Sequence, residues 1–124
     1  MPDDNETPND RITSLLGDAV YHYRHGNTGQ ALGALEEIER IGLTHASPEN
    51  KTHYGNILKY IIFELKNMKR FYEAEYQRVE GGEITNGLTL DQITLRMSQL
   101  DVLIRVAEHL LVLLQNIPGY QMGD

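Results

Sequence analysis

The sequence predicts an all-α fold, in which four helices pack as a bundle-like pair of hairpins. Apolar residues recur at positions 93, 97, 100, 104, 107, 111 and 114, and this 4,3 spacing places one continuous apolar stripe along a helix. A second stretch, from 54 to 79, follows the same spacing and is interrupted only by Glu75. Signals that start and stop helices flank both stretches. Together these observations predict a long antiparallel helical hairpin packed against a shorter N-terminal one.

The shorter hairpin comes first in the chain. Its first helix is predicted over about 10–25, beginning at Asn9 or Asp10 as the N-cap. Its second helix is predicted over about 28–42, with Thr28 as the candidate N-cap. The short link between the two helices is typical of an αα-hairpin.

The two longer helices follow. Ser47 and Pro48 predict the start of a helix over about 48–80, which would be about 50 Å long at 1.5 Å per residue. Its weakest points are Gly55 and the Lys66-Asn67 step, where it could divide into two helices. The last helix is predicted over about 89–116, with Thr89 and the residue three positions on, Gln92, as a capping box.

Length and composition set the domain organisation. The 124 residues, 40% of them hydrophobic, suffice for one helical domain at 10–117, between an acidic disordered tail at 1–9 and a C-terminal tail at 118–124. The absence of cysteine excludes disulfides and thiolate metal ligands. The first residues lack the basic and apolar regions of a signal peptide, and no apolar run reaches the roughly 20 residues of a membrane span. We therefore expect a cytoplasmic protein without a membrane partner.

The function predicted from the sequence is protein binding without catalysis. No catalytic, cofactor-binding or metal-binding motif appears, so we assign no residue to any of these three roles. From 102 to 114 only Arg105, Glu108 and His109 are polar, so this part of the last helix is too apolar for a single neighbouring stripe. We therefore expect an adaptor, chaperone, inhibitor or helical subunit that binds a protein partner or a further copy of itself. The predicted partner interface comprises Val102, Val106, Leu110, Leu113, Tyr60 and Tyr76.

Two alternative functions remain open from the sequence. The net charge of −7 disfavours a protein that binds nucleic acid alone, but a basic strip on the third helix would serve a nucleic-acid-associated subunit within an assembly. The strip comprises Lys59, Lys66, Lys69 and Arg70.

The second alternative is a helical ribonuclease, because Arg105 and His109 on one late helix resemble the active-site pair of some such enzymes. In those enzymes the two residues are usually separated by four to six residues, whereas here three intervene. If Arg105 has no catalytic role, it is expected to form a surface ion pair with Asp101 or Glu108.

Overall fold

The computed structural model describes residues 7–83 and 87–117 of the chain. Within these ranges it contains helices α1 (Pro8–Arg24), α2 (Thr28–Ile41), α3 (Pro48–Glu80) and α4 (Leu90–Gln115), and a 3-10 turn at Leu43–His45. The described residues form no strand, and the predicted all-α fold of two helical hairpins is confirmed. Most of the two predicted tails, at 1–6 and 118–124, lies outside the described residues.

The start of α1 corrects one prediction. Thr7, and not Asn9 or Asp10, is the N-cap, because its hydroxyl accepts a hydrogen bond of 3.1 Å from the backbone N–H of Asp10. The Asp10 carboxylate in turn accepts a bond of 3.2 Å from the Thr7 N–H. Asn9 has a different role, since its carbonyl oxygen accepts a 2.9 Å hydrogen bond from the Tyr54 hydroxyl of α3. Helix α1 therefore begins within the segment that was predicted to be an acidic tail.

The start of α2 also differs from the prediction. Thr28 is the first helical residue, and Asn27 occupies the N-cap position without a side-chain cap bond. The predicted end of this helix is confirmed, since Gly42 follows its last residue with φ of 90°. A positive φ is a conformation that glycine adopts without steric cost, so this residue lets the chain leave α2 and turn toward α3.

Helix α3 is one unbroken element of 33 residues, so the break considered at Gly55 or Lys66-Asn67 does not occur. A glycine inside a helix costs about 0.5–1 kcal/mol, but Tyr54 and Leu58 beside Gly55 are fully buried and hold this turn in the core. The predicted Ser47 cap is confirmed by a 3.3 Å hydrogen bond that its hydroxyl accepts from the Asn50 N–H.

The start of α4 matches the prediction. The Thr89 hydroxyl accepts a 3.1 Å hydrogen bond from the Gln92 N–H, and the Gln92 side-chain oxygen accepts one of 2.9 Å from the Thr89 N–H. This capping box fixes where α4 leaves the loop.

Ion pairs show how the helices lie against each other. Lys69 Nζ is 2.7 Å from Asp101 Oδ1, and Lys66 Nζ is 3.4 Å from Glu108 Oε2, so α3 and α4 run antiparallel. Helix α1 packs on α2 and α3, and α2 packs on α4. The core lies between the two hairpins, and its largest fully buried side chains include Tyr23, Leu16, Leu35, Tyr54, Leu58, Ile61, Leu65 and Leu103.

Candidate functional site

Helix α4 carries two parallel stripes of side chains. The first fills the core and contains Ile93, Leu100, Leu103, Ile104, Ala107, Leu110 and Leu114. The second, which we call the outer stripe, recurs with 4,3,4,3,4 spacing on the neighbouring face of the helix. It comprises Leu95, Gln99, Val102, Val106, His109 and Leu113.

The outer stripe is apolar and open to solvent along most of its length. Leu95 is 58% exposed, Val102 40% and Leu113 38%, while Val106 is partly buried against the core. Helix α2 borders the stripe, because His109 Nε2 lies 3.4 Å from Glu39 Oε1 of α2. The short N-terminal hairpin therefore covers only one edge of this face.

The structure divides the six residues of the predicted interface among different surroundings. Val102, Val106 and Leu113 lie together on the outer stripe. Leu110 does not reach the surface, because it is fully buried in the core between the hairpins. Tyr60 and Tyr76 lie on α3, sixteen positions or about 24 Å apart along the helix, so they belong to separate surfaces.

A second apolar surface was missed in the sequence. Ile62 and Phe63 of α3 and Leu111 and Val112 of α4 line a shallow groove of about 410 Å³. Phe63 is the most exposed of them, at 64%. The available signal was that Ile62 and Phe63 widen the stripe of α3 beyond the width that one facing helix covers.

The basic strip of α3 is partly neutralised by α4. Lys66 pairs with Glu108, and Lys69 pairs with Asp101. The sequence suggested that Arg105 would pair with one of these two carboxylates, but in the structure each of them pairs with a lysine of α3. The hydrogen bond to Asp101 raises the pKa of Lys69. The remaining members differ in their surroundings, since Lys59 lines the apolar groove and Arg70 Nη1 lies 3.4 Å from Asn67 Oδ1.

A polar cluster joins the end of α1 to the middle of α3. The Arg24 guanidinium donates two hydrogen bonds, of 2.8 and 2.9 Å, to the two carboxylate oxygens of Glu64. The Tyr60 hydroxyl donates a third, of 2.8 Å, and also contacts Arg24. The Arg24 hydrogen bonds are the main reason that the pKa of Glu64 falls from 4.5 to about 2. Burial, reinforced by this carboxylate, raises the pKa of Tyr23.

This cluster predicts how the protein responds to acid. The folded-state pKa of Glu64 lies below its unfolded value, so its contribution is complete above about pH 5 and is lost as the pH falls through 4.5 toward 2. Glu64→Gln is expected to flatten this part of the stability profile, measured by denaturant unfolding between pH 7 and pH 2.5. Glu36→Gln, on the exposed face of α2, is the control. An unchanged acid slope in Glu64→Gln would contradict the assignment.

Comparisons with protein-family models, curated proteins and solved structures found no significant match to this chain. Across the described ranges, no three histidine, aspartate or glutamate side chains are grouped to hold a metal ion. None of the four helices, as far as they are described, is long and apolar enough to span a membrane. The fold and the exposed surfaces are therefore the basis for a functional proposal.

Proposed function

We propose that this protein is a non-enzymatic interaction module that binds a helix of a protein partner through the outer stripe of α4. One observation carries the proposal. After the core is complete, Leu95, Val102 and Leu113 still present apolar side chains at heptad-related positions on one solvent-facing surface.

The spacing of the stripe supports a helical partner. Side chains that recur every 3.5 residues on average lie along a nearly straight line, and a second helix can insert its own side chains between them. From Leu95 to Leu113 the stripe extends about 27 Å, which corresponds to about five helical turns of contact. Burial of apolar surface contributes about 25 cal/mol per Å², so the exposed leucines and valine would supply most of the affinity.

The basic strip receives less support as a binding surface. Lys66 and Lys69 already pair with carboxylates of α4, and a nucleic-acid phosphate would have to compete with those pairs. Arg105 and His109, the residues of the ribonuclease alternative, stand beside or within the outer stripe, and His109 faces Glu39 of α2. These contacts favour the binding proposal over both alternatives.

Introducing charge into the outer stripe tests the proposal. We expect Val102→Glu with Leu113→Glu to weaken partner binding at least tenfold, because each carboxylate would have to be buried without a counter-ion. The measurement is quantitative affinity purification from the native host, comparing the wild-type protein with the double variant. Proteins that bind through the stripe should be retained by the wild-type protein and depleted from the material bound to the double variant.

A matched control lies in the apolar groove on the other side of α4. Phe63→Ser removes a larger exposed apolar side chain but leaves the outer stripe intact, so it should retain the same partners. Circular dichroism and thermal unfolding should be similar for all three proteins. Equal retention of every partner by wild type and double variant would refute the proposed function.

A further inference from the structure

We infer that the outer stripe of α4 binds the α4 helix of a second copy of this chain, antiparallel and related by a two-fold axis. This inference rests on the proposed function, since it uses the same surface and names its partner. The observation behind it is the order of residue types along the stripe. That order reads the same in both directions: leucine, polar, valine, valine, polar, leucine, at positions 95, 99, 102, 106, 109 and 113.

The residue positions are symmetric as well as the residue types. Leu95 and Leu113 are equidistant from position 104, as are Gln99 and His109, and Val102 and Val106. A two-fold interface requires that residue i of one copy meets residue j of the other while j meets i. With the axis crossing the outer stripe midway between Val102 and Val106, every residue of the stripe meets a partner of matching character. Leucine meets leucine, valine meets valine, and the amide meets the imidazole.

The two polar layers define the register. In the symmetric arrangement the Gln99 amide lies opposite the partner's His109, so the two polar groups can hydrogen-bond to each other. A shift by one heptad would place one of the two against a valine, either Gln99 against Val102 or His109 against Val106, and would bury that polar group without a partner. A polar residue within an apolar seam commonly fixes register in this way.

The extent of the stripe indicates a weak dimer. Two helices of about 10 Å diameter in contact over about 27 Å bury on the order of 1,000 Å² in total, near the lower limit for a specific interface. Charge further weakens it, because each copy carries a net charge of −7 and Arg105, next to the axis, faces the partner's Arg105. Since salt screens both repulsions, we expect association at micromolar concentration that tightens as salt is raised.

Disulfide trapping tests the geometry, and the cysteine-free chain provides a clean background. Each variant carries one cysteine, so any disulfide that forms must join two copies. Under mild oxidation, a mixture of Leu95→Cys and Leu113→Cys should give a cross-linked dimer containing one copy of each. Either variant alone should cross-link no faster than Phe63→Cys, which reports random encounters.

Two outcomes would overturn the inference. Preferential cross-linking of Leu95→Cys to itself would place the two helices parallel, and a mixture no more reactive than Phe63→Cys would show that the stripes do not meet. If trapping fails while Val102→Glu with Leu113→Glu still loses a partner from the native host, self-pairing is wrong and the proposed function stands. If neither experiment shows an effect of the stripe, both fail.

Arg105 provides an independent test of the two-fold axis. A residue beside such an axis faces the same residue of the second copy. The wild-type dimer therefore pairs arginine with arginine, and the Arg105→Glu dimer pairs glutamate with glutamate. A mixture pairs opposite charges and should associate several-fold more tightly than either protein alone, as measured by sedimentation equilibrium with one component labelled. Equal affinities in all three samples would exclude an axis at this position.

Discussion

Leu110→Ala is expected to lower the free energy of unfolding by about 2–5 kcal/mol, the range observed when a large buried aliphatic side chain is truncated in a rigid core. Leu110 is fully buried in the core between the two hairpins. Its truncation removes apolar contacts and leaves a cavity that the surrounding helices cannot fill completely. Denaturant unfolding measures the change, with a slope that should stay close to that of the wild type.

The matched control is Leu113→Ala, three positions further along the same helix. Leu113 is 38% exposed, so its truncation should cost less than about 1 kcal/mol in the monomer. The comparison is made at low protein concentration, because Leu113 also belongs to the proposed dimer interface. Similar losses in the two variants would contradict the assignment of Leu110 to the core and Leu113 to the surface.

This pair of leucines also shows what an apolar pattern can establish. Residues 102–114 are too apolar for one neighbouring stripe, and the structure divides their apolar side chains between the core and the solvent-facing surface of α4. The pattern did not distinguish Leu110 from Leu113, because neither belongs to the stripe predicted from the sequence, at 93, 97, 100, 104, 107, 111 and 114. The difference depends on where α2 packs against α4, and helix packing of this kind is set by the whole bundle rather than by one helix.

Helix boundaries were predictable where the signal is local. Thr89 and Gln92 form a capping box within four residues, and the structure contains that capping box. At the start of α1, by contrast, Thr7, Asn9 and Asp10 are all suitable caps by residue type. The choice of Thr7 agrees with a distant contact, since Asn9 binds the Tyr54 hydroxyl 45 positions away. The Arg24–Glu64 cluster was missed for the same reason, because its members are 40 positions apart.

Glu75 was recognisable in the sequence as the one interruption in the stripe of α3, and the structure places it in the interior. It is only 3% exposed, and its Oε1 is 2.9 Å from Arg78 Nη1. Its other oxygen, Oε2, is buried and has no hydrogen-bond partner among the described residues. A buried carboxyl group with half of its acceptor capacity unused is a net cost to the folded state.

Glu75→Leu is therefore expected to raise the free energy of unfolding by about 1–3 kcal/mol, since an apolar side chain of similar volume would continue the stripe without the desolvation cost. Arg78 can tolerate the loss because its side chain is 57% exposed and can be hydrated instead. Denaturant unfolding provides the measurement, at a concentration where the protein is monomeric.

Removing the other member of this ion pair should change the free energy of unfolding in the opposite direction. Arg78→Met keeps the aliphatic stem but removes the one hydrogen-bond partner that the Glu75 carboxyl group has among the described residues. It should lower the free energy of unfolding by about 1–3 kcal/mol. In a Glu75→Leu background the same Arg78→Met change should cost little, because no buried carboxyl group remains to be left unpaired. If Arg78→Met lowers the free energy of unfolding equally in both backgrounds, Arg78 acts through packing and not through the carboxyl group. If Glu75→Leu destabilises the protein, the carboxyl group contributes favourably to the fold.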